Sequence, residues 1–148
     1  MLTSRGVLIV DQTAYRDMCA HALASFPLEA CGLIAGAPSA GDGPAEAVWF
    51  VPCANDAASS KVYTLNARDH LRAERRAEDE GLEILGVVHS HTHTEPYPSP
   101  TDITQAPDPA WHYLIVSLRD DEPVVRSWRI VNGDVEEEPM VVSGASAR

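Results

Sequence analysis

The sequence predicts a single α/β domain, with a mixed central β-sheet flanked by helices. Short apolar runs rich in Val, Ile and Leu alternate with two segments whose apolar residues recur at helical spacing. The 148 residues suffice for one core of sheet and helices. No repeat or linker divides them, so one domain is expected over 1–142, with a frayed tail over 143–148.

The elements follow in order. Gly6-Val7-Leu8-Ile9-Val10 reads as a first strand rather than a signal peptide, since the run is short and only Arg5 precedes it. Tyr15, Met18, Cys19, Ala22, Leu23 and Phe26 then mark a helix, with Thr13 as its N-cap and Pro27 after its end. Leu33-Ile34-Ala35 belongs to a second buried strand with Glu29 at its entrance. The turn-rich connector Ala37 to Pro44 leads to a strand at Val48-Trp49-Phe50-Val51. Asn66 caps a second helix, with Asp69 at the capping-box position and Gly81 ending it. His70, Leu71, Ala73 and Ala77 give that helix a thin apolar stripe. Ile84 to His89 is another strand, and Trp111 to Leu118 and Val124 to Val131 are later ones. Asn132-Gly133 is a hairpin turn into Val135.

Composition narrows the function. No apolar stretch approaches the length of a membrane span. A net charge of −11 argues against nucleic acid or an anionic membrane as partner, and by itself says no more than solubility. Cys19, Cys31 and Cys53 form neither a CxxC nor a disulfide framework, which suits a reducing, cytoplasmic setting.

The chemistry is concentrated in His89-Ser90-His91, followed seven residues later by Ser99-Pro100-Thr101-Asp102. Side chains alternate along a strand, so His89 and His91 stand on one face at its end. With Asp102 returned by the loop, they make three ligands of a catalytic zinc site. Such a site keeps its fourth position for water and lowers that water's pKa towards neutrality. A base is still required, and no HExxH pattern supplies one; the best candidate is Glu29.

Glu29 upstream, then H-x-H, seven residues and S-x-x-D, resembles the JAMM (MPN+) metalloproteases. Glu29-Ala30-Cys31-Gly32 and Gly86-Val87-Val88-His89-Ser90-His91 are similar to its small bacterial, Mec-type members, which hydrolyse sulfur-carrier-protein–cysteine adducts. The resemblance spans roughly residues 5 to 140. It implies a cytidine-deaminase-like fold and one Zn2+ held by His89, His91 and Asp102. It further implies Glu29 as general base and Ser99 as oxyanion donor. The implied substrate is the C-terminal glycine tail of a ubiquitin-like sulfur-carrier protein joined to cysteine, in cysteine biosynthesis. One departure stands out. The family usually follows the second histidine with proline, whereas this chain has Thr92 and then a third histidine, His93.

Each reading has a plainer rival. His91/His93 is a formal alternative ligand pair, but the spacing to Ser99 and Asp102 fits the family only from His91. Ser at N-cap, Pro at N1 and Asp at N3 make a helix start without any metal, and both roles can coexist. Cys31 shares a strand face with Glu29 and reads as a packing cysteine, with an additional or inhibitory zinc contact as the alternative. His21, His70 and His112 lack metal spacing, and Trp49, Trp111 and Trp128 read as core. At the level of function the alternatives are a non-catalytic MPN scaffold, a zinc-binding domain without turnover, and a deubiquitinase-like isopeptidase. The short segments Asn55 to Thr64 and Ile103 to Pro109 argue for a small substrate or carrier.

Overall fold

The computed structural model describes residues 7–144. The order is β1 (Leu8–Asp11), α1 (Gln12–Ser25), β2 (Cys31–Ala37), β3 (Ala45–Cys53), α2 (Ala67–Asp79), β4 (Glu83–His91), α3 (Pro100–Thr104), β5 (His112–Ser117), β6 (Val124–Val131), β7 (Asp134–Glu138) and β8 (Met140–Ser143). All eight strands form one mixed sheet, ordered β7-β6-β5-β4-β2-β3-β1-β8. The pairs β1/β3, β1/β8 and β4/β5 are parallel and the others antiparallel. Among the described residues no helix is long and apolar enough to cross a membrane.

The sheet order has a geometric consequence. β7 and β8 lie at opposite edges, yet Pro139 alone separates them in the chain. Residues two apart in sequence cannot stand more than about 7 Å apart. The sheet must therefore curl until its edges nearly meet, and Pro139 O accepts from Leu8 N–H at that seam. Register shifts at Ile34/Ala35 against β4 and at Ala35/Gly36 against β3 bend β2 in the middle of the sheet.

Each sheet face has its own core. On one, Ala14, Met18 and Ala22 of α1 meet Leu8, Val10, Ile34, Phe50, Val88, Leu114 and Val116. On the other, Ala73 of α2 packs with Cys31, Leu33, Val87, Tyr113, Ile115 and Trp128. Leu23 and Phe26 fall outside the buried stripe of α1, and Leu71 outside that of α2; all three are exposed.

Three expectations need correction. Asp11, not Thr13, caps α1, and its carboxylate accepts from Thr13 N–H at 2.9 Å. Asn66 does cap α2, but the Asp69 carboxylate accepts from Ala54 N–H at 2.8 Å instead of returning to the cap backbone. Ser143, expected in the frayed tail, ends β8; residues 145–148, and 1–6 at the other end, lie outside the described residues. The Asn132-Gly133 turn is as expected, with φ of 52° and 85°.

Gly86 tests how tightly the strand carrying the histidines is held. A Cβ there would stand 1.9 Å from the backbone oxygen of His112 on β5. Backbone cannot swing aside as a side-chain tip can, so Gly86→Ala should cost about 3 kcal/mol or more. In a domain of this size that lowers the melting temperature by roughly 6–12 °C, readable by thermal denaturation.

Candidate metal centre

His89 and His91 close β4 in its buried stretch, and their side chains face the α2 side of the sheet with Val87. Ser90 between them faces the other way and is 1% exposed. Its Oγ accepts from Ala30 N–H at 2.8 Å, and its own N–H donates to Ala30 O at 3.0 Å. That double link fixes the segment carrying Glu29 beside the end of β4.

Asp102 arrives through α3. The Ser99 Oγ accepts from Asp102 N–H at 3.0 Å, and Asp102 Oδ2 accepts from Ser99 N–H at 2.9 Å, with Pro100 opening the helix. The same Oδ2 stands 3.1 Å from His89 Nε2 and 3.1 Å from His91 Nε2, and the two imidazole nitrogens are 3.2 Å apart. The helix cap and the cluster with the two histidines therefore share one oxygen.

The donor chemistry fits a cation. His91 Nδ1 lies 2.9 Å from the Glu95 carbonyl oxygen, an acceptor, so Nδ1 carries the proton and a neutral ring turns its Nε2 lone pair towards Asp102. Two imidazole nitrogens and a carboxylate oxygen converge within 4.8 Å of one another. Their separations are close to the roughly 3.3 Å edge of a tetrahedron whose corners lie about 2.0 Å from its centre, the usual zinc–ligand distance. Nitrogen and oxygen ligands in this number suit zinc with one position left for water. His93 stays out of the group: it is exposed, its Nδ1 lies 3.0 Å from Thr92 Oγ1, and its ring packs 5.6 Å from Phe26.

Charge in the site is tightly coupled. Burial pulls the His89 imidazole below its ordinary pKa, more than Asp102 restores. Burial also opposes His91, but its bonds to Asp102 and the Glu95 carbonyl outweigh that and raise it. Asp102 is pushed up by burial, yet its two histidine partners and the Ser99 N–H hold it far below the usual carboxylate range. Glu29 is 5% exposed, and its Oε1 has no hydrogen-bond partner. Burial pushes it up to about 8, with His91 pulling it down and Asp102 pushing it further up. A buried carboxyl so perturbed beside a candidate metal group has the electrostatics of a functional-site residue.

Several supporting contacts escaped the sequence reading. Tyr63 stacks on His89 with ring centroids 4.4 Å apart. The loop after His91 is pinned by Trp128 Nε1–H donating to Pro96 O at 2.8 Å and by Ser117 Oγ donating to Thr94 O at 2.6 Å. Thr92, at the family's proline position, is buried and donates from Oγ1 to Ser60 O at 3.3 Å. A cavity of about 190 Å³ opens beside Asp102, between Val62, Tyr63 and Leu65 on one side and Gln105 and Trp111 on the other.

The remaining candidates are structural. Cys31 Sγ contacts the Cys53 and Ala54 carbonyl oxygens, and burial pushes its thiol up to about 12. His21 bonds the Cys31 carbonyl, His70 stands beside Glu74, and His112 pairs with buried Glu138. Trp128 is core, while the half-buried Trp49 lies under Arg76 and donates to Glu80.

The family model describing prokaryotic homologs of the JAB domain matches residues 11–131. The chain belongs to the prokaryotic JAB family. This JAB domain is 40% identical over 146 residues to the CysO-cysteine peptidase of Mycobacterium tuberculosis, covering 96% of this chain and 97% of that one. It is 36% identical over 93 residues to the desampylase of Haloferax volcanii, covering 62% and 63% of the two chains. Among solved structures, that of a Desulfitobacterium hafniense protein superposes with a TM-score of 0.84 at 32% identity, covering 93% of each chain. One from Salinibacter ruber superposes at 0.66 with 28% identity, covering 88% of this chain and 87% of the other. The JAB domain is thereby a hydrolytic peptidase, with a mixed α/β fold shared across its relatives.

Proposed function

We propose that the protein is a zinc-dependent, cytoplasmic peptidase that cuts the amide joining a ubiquitin-like sulfur carrier's C-terminal glycine to cysteine, releasing cysteine for biosynthesis. One observation carries this reading: a buried carboxylate oxygen without a partner, on Glu29, belongs to a carboxyl coupled to His91 and Asp102, two of three converging side chains that could hold a metal. Similarity along nearly the whole chain to a CysO-cysteine peptidase supports the substrate.

His89, His91 and Asp102 would hold the zinc. When bound, it would supply Lewis acidity, easing deprotonation of water and polarising the scissile carbonyl. Glu29 takes the proton from the attacking water and delivers it to the departing amine nitrogen. Water oxygen joins the carbonyl carbon, the C–N bond breaks, and the carrier ends in a free carboxylate. Ser99 Oγ accepts the Asp102 N–H, which leaves its own hydroxyl hydrogen free to donate to the oxyanion. The cavity beside Asp102 suits an extended tail of glycines, whose lack of side chains permits close passage over the backbone.

A second reading, isopeptidase action on a Lys-linked ubiquitin-like conjugate, is favoured by the similarity to a desampylase. Parallel incubations with a sulfur-carrier–cysteine conjugate and with Lys-linked diubiquitin, followed by intact mass, separate the two. The expected products are cysteine and a free carrier, with diubiquitin untouched. Rapid diubiquitin cleavage beside an intact carrier conjugate would transfer the assignment to the isopeptidase. No turnover of either, with zinc bound, would leave a zinc-binding domain or a scaffold.

A further inference from the structure

The loop between β3 and α2 touches Glu29, His89 and the residue after His91. Glu29 lies ahead of β2, and both of its main-chain hydrogen-bonding groups are engaged by this loop. Its N–H donates to Ser59 O at 2.8 Å, and its carbonyl accepts from Asn55 Nδ2 at 3.0 Å. The same carboxamide organises the loop. Asn55 Nδ2 also donates to Val62 O at 3.2 Å, while Oδ1 accepts from Ala57 N–H at 3.0 Å and Thr64 N–H at 2.8 Å. Between two of those anchor points, Tyr63 lies on the His89 ring. Ser60 in the same loop accepts from Thr92, next to His91.

Asn55 thus spends all its hydrogen-bonding directions joining a surface loop to the residue that carries the proton. Glu29 Oε1 has no hydrogen-bond partner to aim it. Its direction is inherited from where the backbone is held, and a displacement of about 1 Å at a reacting group can cost about a hundredfold in rate.

We propose that Asn55 is a positioning residue for the hydrolysis, its carboxamide tethering the Glu29 backbone so that the carboxylate faces the water and the leaving nitrogen. This rests on the reading of Glu29 as proton carrier.

The test uses the zinc-loaded full chain and a sulfur-carrier–cysteine conjugate, with kcat and KM from intact mass and Glu29→Gln rates from overnight single-turnover reactions. Asn55→Ala should lower kcat by about 10- to 100-fold, leave KM within about threefold, and keep about one zinc per chain. In the Glu29→Gln background it should slow turnover no further, because the group it positions is gone. Asn55→Asp keeps the acceptor for Ala57 and Thr64 but loses the donors to Glu29 and Val62. It should be at least as slow as Asn55→Ala, and it decides the matter if that variant fails to fold. Wild-type kcat in Asn55→Asp, a loss confined to KM, or an equal further loss in the Glu29→Gln background would each overturn the tether. Those outcomes leave Glu29 in place; an active Glu29→Gln enzyme would remove Glu29 and the tether together.

Discussion

Glu29→Gln leaves the protein folded and able to bind about one zinc per chain, while turnover falls by roughly 10²- to 10⁴-fold. The amide preserves the shape of a residue that is 5% exposed, but it cannot accept the proton of the attacking water or return it to the amine. Steady-state kinetics beside metal analysis read both halves. Near-normal turnover with metal bound would take Glu29 out of the mechanism. The substitution has a second signature in metal-free protein. There burial raises the carboxyl from 4.5 to about 8, so the folded state keeps a proton that the unfolded chain releases. That stabilisation is complete below 4.5 and disappears as the pH rises to about 8, by up to about 1.4 kcal/mol per pH unit. Metal-free Glu29→Gln lacks the term, so relative to metal-free wild type it gains stability with rising pH across that window.

Replacing His89, His91 or Asp102 with Ala abolishes stoichiometric zinc binding and with it activity, whereas His93→Ala keeps both. Each of the three contributes one corner of a triangle 3.1–3.2 Å on a side, and among the described residues no other side chain belongs to that group. Asp102→Ala has a further effect, because the same Oδ2 closes the α3 cap. It should lower the stability of the metal-free protein by about 1 kcal/mol, the usual cost of a lost cap. Zinc should also stabilise the wild type by linkage, about 4 kcal/mol at a thousandfold excess over Kd, and not the three ligand variants. Metal analysis after dialysis, with melting curves in the presence and absence of zinc, checks both. Full zinc in His89→Ala together with loss in His93→Ala would mean that the ligand pair is displaced by two residues.

The convergence of His89, His91 and Asp102 was legible because its geometry is local. Alternation along β4 puts His89 and His91 on one face, and Ser99-Pro100-Thr101-Asp102 specifies its own helix start. The strands were legible from apolar runs, and α2 from Asn66 and Gly81. What stayed hidden depends on partners far away in the chain. Asp11 and Thr13 are both good caps, and composition could not choose between them. Asp69 looked like a capping-box acid until the Ala54 N–H, fifteen residues back, competed for it. Nothing local announces that Asn55 holds the backbone of Glu29, that Tyr63 lies on His89, or that Ser90 ties Ala30 to β4. β8 was missed because four residues ending near the chain's last described position carry little pattern of their own, and only the waiting edge of β1 makes them a strand.

The curled sheet joined at Pro139 also sets an order in time. Leu8 pairs with Met140, so a contact essential to closing the sheet links residues far apart in the chain. Contacts between distant residues carry a high loop-closure cost, and topologies rich in them fold slowly. During synthesis β1 emerges long before its outer partner exists, and its unpaired edge is open to any other strand it meets. The hazard of mispairing at that edge is therefore greatest while the chain is being made, and it ends when β8 arrives.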